Sequence, residues 1–240
     1  MDKKMKPKVL KKNRLSRRTF LKCTGTIVFA MGSSGYLLGE CLAKEDGAGI
    51  AVSDGYLVVD VEKCQGCISC MLACSLVHEG AQSLSLSRIQ ILQDSFGKFP
   101  DDLTIEQCRQ CEAPACVEAC PEDALTANAE LGCVRMVDKD KCTGCGSCFK
   151  ACPHTPARLS VVEDETFNRE LKSLKCDLCA NAPHHWDEKG GGPDGKQACV
   201  EVCPVGAIAF TRKLPVQEGK SGYKVNLRDE NWVRLGYRNS

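Results

Sequence analysis

The stretch CTGCGSCFKACP occupies residues 142–153, and the stretch CQGCISCMLACS occupies residues 64–75. Both place cysteines in the spacing C-x2-C-x2-C-x3-C. Two further groups have related spacings, C-x2-C-x4-C-x3-C over residues 108–120 and C-x2-C-x19-C-x3-C over residues 176–203. Proline follows the last cysteine in three of the groups, and Ser75 stands there in the other. Sixteen of the nineteen cysteines therefore belong to four groups of four.

This spacing is typical of the bacterial ferredoxin run, in which cysteine thiolates hold iron–sulfur clusters. The sequence thus predicts four 4Fe-4S clusters. Zinc sites and a disulfide framework are the alternatives, but zinc favours separated C-x2-C pairs, and disulfide scaffolds seldom repeat one spacing. The predicted ligands are Cys64, Cys67, Cys70, Cys74, Cys108, Cys111, Cys116, Cys120, Cys142, Cys145, Cys148, Cys152, Cys176, Cys179, Cys199 and Cys203.

The first 43 residues have the features of an export signal. Residues 1–22 contain ten Lys or Arg against one acid, and residues 16–22 read SRRTFLK, which is similar to a twin-arginine signal. The apolar stretch that follows, residues 24–38, is shorter than the roughly 20 residues that a membrane span needs. We therefore predict export to the periplasm or the outer face of the cytoplasmic membrane. The twin-arginine route moves folded proteins, so clusters would be inserted before export.

Charge and composition restrict the function further. Residues 1–43 contain ten basic and two acidic residues, so the formal net charge falls from +1 to −7 without them. Such a chain is not expected to bind nucleic acid by charge. Aromatic residues make up 5% of the chain, too few for an ordinary core. We expect the clusters to substitute for that core, and the chain without iron to be largely unfolded. No later apolar run has spanning length, which predicts a soluble or peripheral mature protein.

A short motif occurs twice, as VDVEKC over residues 59–64 and VDKDKC over residues 137–142. We predict an α+β fold of two ferredoxin-like units related by internal duplication, with small strands and helices wrapped around four clusters. Residues 44–240 would form this domain, with a cluster-binding core over 54–212. The tail, 213–240, would dock a partner or fold back on the core, with an edge strand at 223–227. The other strands are predicted at 55–61, 88–92, Val134–Val137, 158–162 and Ile208–Thr211.

The order of the four groups, the long gap in the fourth, the Cys-Pro pairs and the signal resemble a known family. It is the four-cluster electron-transfer subunit of molybdopterin oxidoreductases of the dimethyl-sulfoxide-reductase type, and the resemblance covers roughly residues 54–212. It implies a non-catalytic subunit with a molybdenum or tungsten pterin catalytic subunit as partner, and a membrane anchor subunit or a cytochrome as a further partner. It also implies that each group donates its last cysteine to another group's cluster. The implied ligand sets are Cys64, Cys67, Cys70 with Cys203; Cys176, Cys179, Cys199 with Cys74; Cys108, Cys111, Cys116 with Cys152; and Cys142, Cys145, Cys148 with Cys120.

Other functions remain open from the sequence. The chain could serve a periplasmic hydrogenase or an aldehyde-oxidoreductase-like enzyme, or act as a free polyferredoxin or a filament-forming carrier. No catalytic triad or phosphate loop is present, so we predict no substrate chemistry in this chain.

Cys133 lies outside the groups and is predicted to be a buried small residue, while Cys23 and Cys41 would leave with the signal. Candidates for tuning the clusters are Lys63, Lys141, Lys175 and Arg109, and His184 and His185 would lie in a surface loop or bind a metal or haem.

Overall fold

The computed structural model describes residues 50–99, 101–218 and 222–237. The predicted export signal, with Cys23 and Cys41, lies outside the described residues. Among these described residues there are ten short strands and five short α-helices, and single 3-10 turns link some of them. The strands are β1 Tyr56–Val59, β2 Ile89–Gln93, β3 Leu103–Gln107, β4 Leu125–Asn128, β5 Val134–Val137, β6 Leu159–Asp164, β7 Glu170–Lys175, β8 Ile208–Thr211, β9 Gln217–Glu218 and β10 Gly222–Tyr223. The helices are α1 Ser69–Glu79, α2 Ala115–Glu118, α3 Ser147–Ala151, α4 Ala198–Glu201 and α5 Glu230–Arg234.

All of these strands pair in antiparallel two-stranded sheets, which are β1 with β8, β2 with β3, β4 with β5, β6 with β7, and β9 with β10. The β1–β8 pair joins the two ends of the cluster-binding region, with Val59 opposite Ile208. Two-stranded sheets of this size are only marginally stable by themselves. The sheets therefore need a shared interior to hold them.

The two copies of the Asp-x-x-Lys-Cys motif have the same backbone environment. Asp60 N–H donates to the Ala207 carbonyl at 2.9 Å, and Asp138 N–H donates to the Ala124 carbonyl at 2.8 Å. The glycine between the first two cysteines has positive φ in both copies, +64° at Gly66 and +67° at Gly144. A Cβ atom on Gly144 would also lie 2.2 Å from the Leu171 carbonyl oxygen. Only glycine fits this second position, because it combines a left-handed backbone with close contact to β7.

The main core cluster consists largely of aliphatic residues from these sheets together with cysteines of the groups. Leu57, Ile89, Val134 and Leu178 are at most 1% exposed and pack with buried cysteines such as Cys199. Among the described residues, no helix combines the length and hydrophobicity that crossing a bilayer requires.

The predicted strands at Val134–Val137 and Ile208–Thr211 are confirmed, and those at 55–61, 88–92 and 158–162 correspond to β1, β2 and β6 with shifted ends. Their partners β3 and β7 were not predicted, because LTIEQ and ELKSLK mix polar with apolar residues. The predicted edge strand at 223–227 is wrong beyond Tyr223, where the chain leaves β10. The reason is that residues 226–228 bond to the core rather than to a strand.

Candidate functional site

The first three cysteines of the first and third groups lie on a loop that enters a helix. The residue before each helix has a left-handed backbone, φ 55° at Ile68 and φ 73° at Gly146. The fourth cysteine of each group follows on the same helix or at its end, Cys74 in the middle of α1 and Cys152 directly after α3.

The first group is completed by a cysteine from the other end of the chain. Burial raises the pKa of the Cys70 thiol to about 12, and the neighbouring thiolates of Cys64, Cys67 and Cys203 act in the same direction. We call these four residues the Cys67 set. Cys203 thus lies close to the first group, although in sequence it belongs to the fourth.

Cys74 lies with the fourth group. Burial raises the pKa of the Cys199 thiol well above its ordinary value, and the Cys179, Cys176 and Cys74 thiolates raise it further. We call these four the Cys74 set, and all four are buried. Cys70 of the neighbouring set also acts on Cys199, so the two sets are adjacent.

Cys116 of the second group has the last cysteine of the third group, Cys152, as a neighbour. Burial raises the pKa of the Cys116 thiol to about 11; Lys175 opposes this, and Cys108, Cys111 and Cys152 add to it. These four form the Cys116 set. One pocket is lined by the remaining four thiols, which form the Cys145 set. Its members are Cys120, Cys142, Cys145 and Cys148.

Backbone amides point at the thiols. Gly66 N–H donates to Cys64 Sγ and Gln110 N–H donates to Cys108 Sγ, both at 3.4 Å. The last cysteines accept from amides further along the chain, namely Cys74 from Arg88 at 3.3 Å, Cys152 from Arg158 at 3.3 Å and Cys203 from Ala207 at 3.2 Å. Such donors stabilise negative charge on sulfur, which is the charge that a metal-bound thiolate has.

The donor chemistry therefore fits iron–sulfur clusters. All sixteen cysteines of the four groups are free thiols, so the disulfide alternative fails for them.

A buried ionic network contacts Cys74. Asp177 accepts hydrogen bonds from His78 Nε2 at 3.0 Å and Arg88 Nη1 at 2.8 Å. His78 Nδ1 lies 2.7 Å from the Cys74 carbonyl oxygen, so both ring nitrogens face acceptors and both must be protonated. Burial is the largest influence on the pKa of the Cys74 thiol and would raise it, but the hydrogen bond and charge of His78, with Arg88, lower it overall. His78 and Arg88 thereby favour the thiolate form of Cys74.

The predicted tuning residues differ in burial. Lys63, Arg109 and Lys175 are buried. The Lys141 side chain is 63% exposed and pairs with Asp138, as expected for a surface charge. Cys133 is buried, as predicted.

The two loop histidines lie outside the thiol sets. His184 N–H donates to the Val77 carbonyl at 3.0 Å, and His185 stacks on Trp186 with ring centroids 4.9 Å apart. The Trp186 indole in turn donates to Glu201 Oε2 at 2.8 Å. These contacts fix the insert of the fourth group against the helices α1 and α4.

The carboxyl-terminal segment lies on the first copy of the Asp-x-x-Lys-Cys motif. Lys63 Nζ donates to the Leu227 carbonyl at 2.7 Å, and Leu227 N–H donates to Asp60 Oδ2 at 2.9 Å. The Arg228 guanidinium, 3% exposed, pairs with Asp60 at 3.2 Å. Lys63 also lies 5.7 Å from the centre of the Trp232 ring. A tail folded back on the core is one of the two predicted alternatives, but its contact with this motif could not be predicted, because the two are more than 160 residues apart.

Comparison with known proteins agrees with this donor chemistry. Residues 101–213 match the model of the 4Fe-4S dicluster domain. The protein NrfC of Escherichia coli K12 is 32% identical over 199 residues, which cover 81% of this chain and 79% of NrfC. The polyferredoxin-like subunit of the aliphatic sulfonate oxidoreductase of Pyrococcus furiosus is 34% identical over 148 residues, 62% of this chain and 70% of that one.

A relative from a hydrogenase operon matches a larger part of the chain. The hydrogenase-2 operon protein HybA of Escherichia coli O157:H7 is 32% identical over 232 residues, which cover 86% of this chain and 66% of HybA. Among solved structures, the active site complex BamBC of benzoyl coenzyme A reductase aligns with a TM-score of 0.30 and 17% identity, covering 76% of this chain and 86% of that one. That similarity is too weak to support an argument.

Proposed function

The chain belongs to the 4Fe-4S dicluster family of iron–sulfur electron-transfer proteins, and from this premise we propose that it is an exported subunit with four 4Fe-4S clusters. It would relay electrons between a molybdenum or tungsten pterin catalytic subunit and a second redox partner. The observation that supports this most strongly is the arrangement of the sixteen thiols in four neighbouring sets. We further propose that these sets are the ligand sets, in two ferredoxin-like units related by duplication.

The order of the sets suits a relay. The Cys67 set adjoins the Cys74 set through Cys70 and Cys199, and the Cys74 set adjoins the Cys116 set through Cys176 and Cys108. The exchange of Cys120 and Cys152 links the Cys116 set to the Cys145 set. When bound, a 4Fe-4S cluster accepts or releases one electron at a time. The protein's part is to hold such groups in a row, with amide donors on their thiolates.

Exposure supports the Cys67 set and the Cys145 set as the two ends of the proposed row. Cys67 and Cys145 are the exposed members of the sixteen, and they belong to the first and the last set. Next to Cys145, the Phe149 and Leu171 side chains are 47% and 48% exposed. The inner Cys74 set is buried throughout, which excludes water from it. We propose that the partners dock where Cys67 and Cys145 reach the surface.

Elemental analysis tests the proposed function. The tagged chain, purified without oxygen together with its bound partners, is expected to contain about sixteen irons, four for each of four clusters. Stoichiometric molybdenum or tungsten in a co-purifying subunit would establish the pterin partner. Zinc in place of iron would contradict the proposal entirely.

A second candidate partner is the catalytic subunit of a hydrogenase. The match to a hydrogenase-2 operon protein covers 86% of this chain, which is the observation in its favour. Nickel in the co-purifying subunit would select this candidate. Iron without another metal would instead identify a free carrier or a filament subunit.

We propose export by the twin-arginine route, supported by the order Ser16-Arg17-Arg18-Thr19-Phe20-Leu21-Lys22. Replacing Arg17 and Arg18 together by lysine preserves the charge but removes the guanidinium pair, and is expected to leave the protein in the cytoplasm. Fractionation of cells that express each form measures this. The matched control replaces Lys11 and Lys12 by arginine and should be exported normally. Export of the Arg17→Lys, Arg18→Lys form in cells that lack the partner subunit would disprove the signal.

A further inference from the structure

The two inner sets are built on the same plan. Arg88 precedes the β2–β3 hairpin, and its amide donates to Cys74 Sγ at 3.3 Å. Arg158 precedes the β6–β7 hairpin, and its amide donates to Cys152 Sγ at 3.3 Å. The second strand of each hairpin, β3 or β7, then leads directly into a C-x2-C pair. The residue after the first cysteine of that pair is Arg109 in the Cys116 set and Asp177 in the Cys74 set. Equivalent positions therefore have opposite charge.

Two buried cations adjoin the Cys116 set. Arg135 is 1% exposed, and its guanidinium donates to the carbonyls of Cys133 at 2.6 Å and Cys111 at 2.8 Å. Its Nε atom is buried without a hydrogen-bond partner. Lys175 is 3% exposed, and its ammonium donates to the carbonyls of Arg135 at 2.9 Å and Cys176 at 3.3 Å.

These two cations bond to carbonyl groups rather than to acids. Within residues 50–99, 101–218 and 222–237, no carboxylate lies at salt-bridge distance from Arg135 or Lys175. A buried charge needs a compensating charge, since its removal from water costs several kcal/mol. Burial lowers the pKa of Arg135, and the Tyr56, Cys108, Cys111 and Cys116 groups oppose this. Burial raises the pKa of Cys111 and Cys116, and Lys175 acts against this at both.

The cations near the Cys74 set are neutralised differently. Asp177 pairs with both His78 and Arg88, and Arg88 also pairs with Glu79 at 3.3 Å. After burial, which is the main cause, Asp177 is among the charges that raise the pKa of Cys176 and Cys179. The Cys74 set thus faces a carboxylate as well as cations. At the Cys116 set, no carboxylate of the described residues lies at salt-bridge distance from Arg135 or Lys175.

We propose that Arg135 and Lys175 are positioning residues that raise the reduction potential of the cluster held by the Cys116 set above that of the cluster held by the Cys74 set. This inference rests on the proposed function. Reduction adds one negative charge, and a buried cation stabilises that charge strongly because the surroundings screen it little. Of these two clusters, the one held by the Cys116 set is then reduced first.

An anaerobic redox titration followed by EPR tests this on the full chain purified with its partners. The signal of the Cys116 set is identified as the one that Cys116→Ser alters. At the wild-type midpoint potential, Lys175→Met is expected to lower the reduced-to-oxidised ratio of that cluster about tenfold, which is a shift of 59 mV for one electron. Lys175→Arg, which keeps the charge, should restore the ratio, and Arg135→Met should lower it in the same direction.

The matched control is Lys172→Met. Lys172 lies on the same strand and donates to the Cys142 carbonyl at 2.8 Å, but it pairs with Glu170 and belongs to the surroundings of the Cys145 set. It should leave the ratio of the Cys116 cluster unchanged. Iron content is measured first on every form. Absence of iron from the wild type would contradict the proposed function, and this outcome is thereby distinguished from a failure of the present inference. A fully loaded Lys175→Met form with an unchanged ratio, or a wild type whose Cys74 cluster has the higher potential, would overturn this inference.

Discussion

Removal of the iron under anaerobic, reducing conditions is expected to unfold most of the described chain. The longest helix among the described residues, Ser69–Glu79, has 11 residues, below the length at which an isolated helix is stable in water. The sheets all have two strands, and such hairpins are marginal without packing. In addition, the buried charges of Arg135 and Lys175 would lose their compensating anions. The expected loss is comparable to the whole stability of a typical domain, about 5–15 kcal/mol.

Far-UV circular dichroism and amide hydrogen exchange before and after chelation measure this effect. Most amides of β1–β8 should lose their protection, and restoring iron and sulfide should return it. The control is a mock treatment with metal-loaded chelator, which should change neither signal. Retention of the native spectrum and protection after complete loss of iron would show that the aliphatic core suffices, and that the clusters are not part of it.

Cys74→Ser is expected to disrupt the cluster held by the Cys74 set while the cluster of the Cys67 set keeps its EPR signal. In sequence, Cys74 belongs to the first group, but its thiol lies with Cys199 and the other members of the fourth. The substitution also removes the thiolate that His78 and Arg88 stabilise, and leaves their buried charges without it. Loss of one thiolate ligand should reduce the iron content by up to about four atoms per chain.

Cys67→Ser is the matched substitution within the same sequence group. It should alter the cluster of the Cys67 set, because Cys67 lies beside Cys64 and Cys70, and should spare the cluster of the Cys74 set. EPR of the reduced proteins, with iron determination, distinguishes the two forms. If Cys74→Ser and Cys67→Ser alter the same signal, the exchange of last cysteines between groups is wrong.

The carboxyl-terminal tail distinguishes the two copies of the repeated motif. In the first copy, Asp60 and Lys63 are buried under residues 223–237 and bond to Leu227. In the second copy, the side chains of Asp138 and Lys141 are 40% and 63% exposed. Within the described chain, the ion pair between these two residues is the only one that either of them forms. The two copies of the Asp-x-x-Lys-Cys motif thus have different surroundings, and only the second copy is open to solvent.

Parts of the fold could be predicted because their signals are local. The strands Val134–Val137 and Ile208–Thr211 are short β-branched or apolar runs next to cysteine loops, and the sequence shows them directly. The strand Glu170–Lys175 could not be found in this way. Lys172, Ser173 and Lys175 of this strand are buried because their polar atoms bond to the cysteine loops and to β5. An alternating pattern of hydrophobic residues, by which strands are predicted, does not reveal such contacts.

The sequence by itself determined the donor chemistry: sixteen thiols in four repeated spacings, with the loops and turns that those spacings impose. Only the tertiary structure decided which thiols meet, which of them reach the surface, and which charges are buried beside them. The physical reason is the distance along the sequence over which each interaction acts. A spacing of two or three residues is fixed by local backbone geometry, whereas the approach of Cys203 to Cys64, or of Lys175 to Cys116, depends on packing between distant segments. Electrostatic interactions depend on that packing, so the charges that would set each cluster's potential follow from the fold.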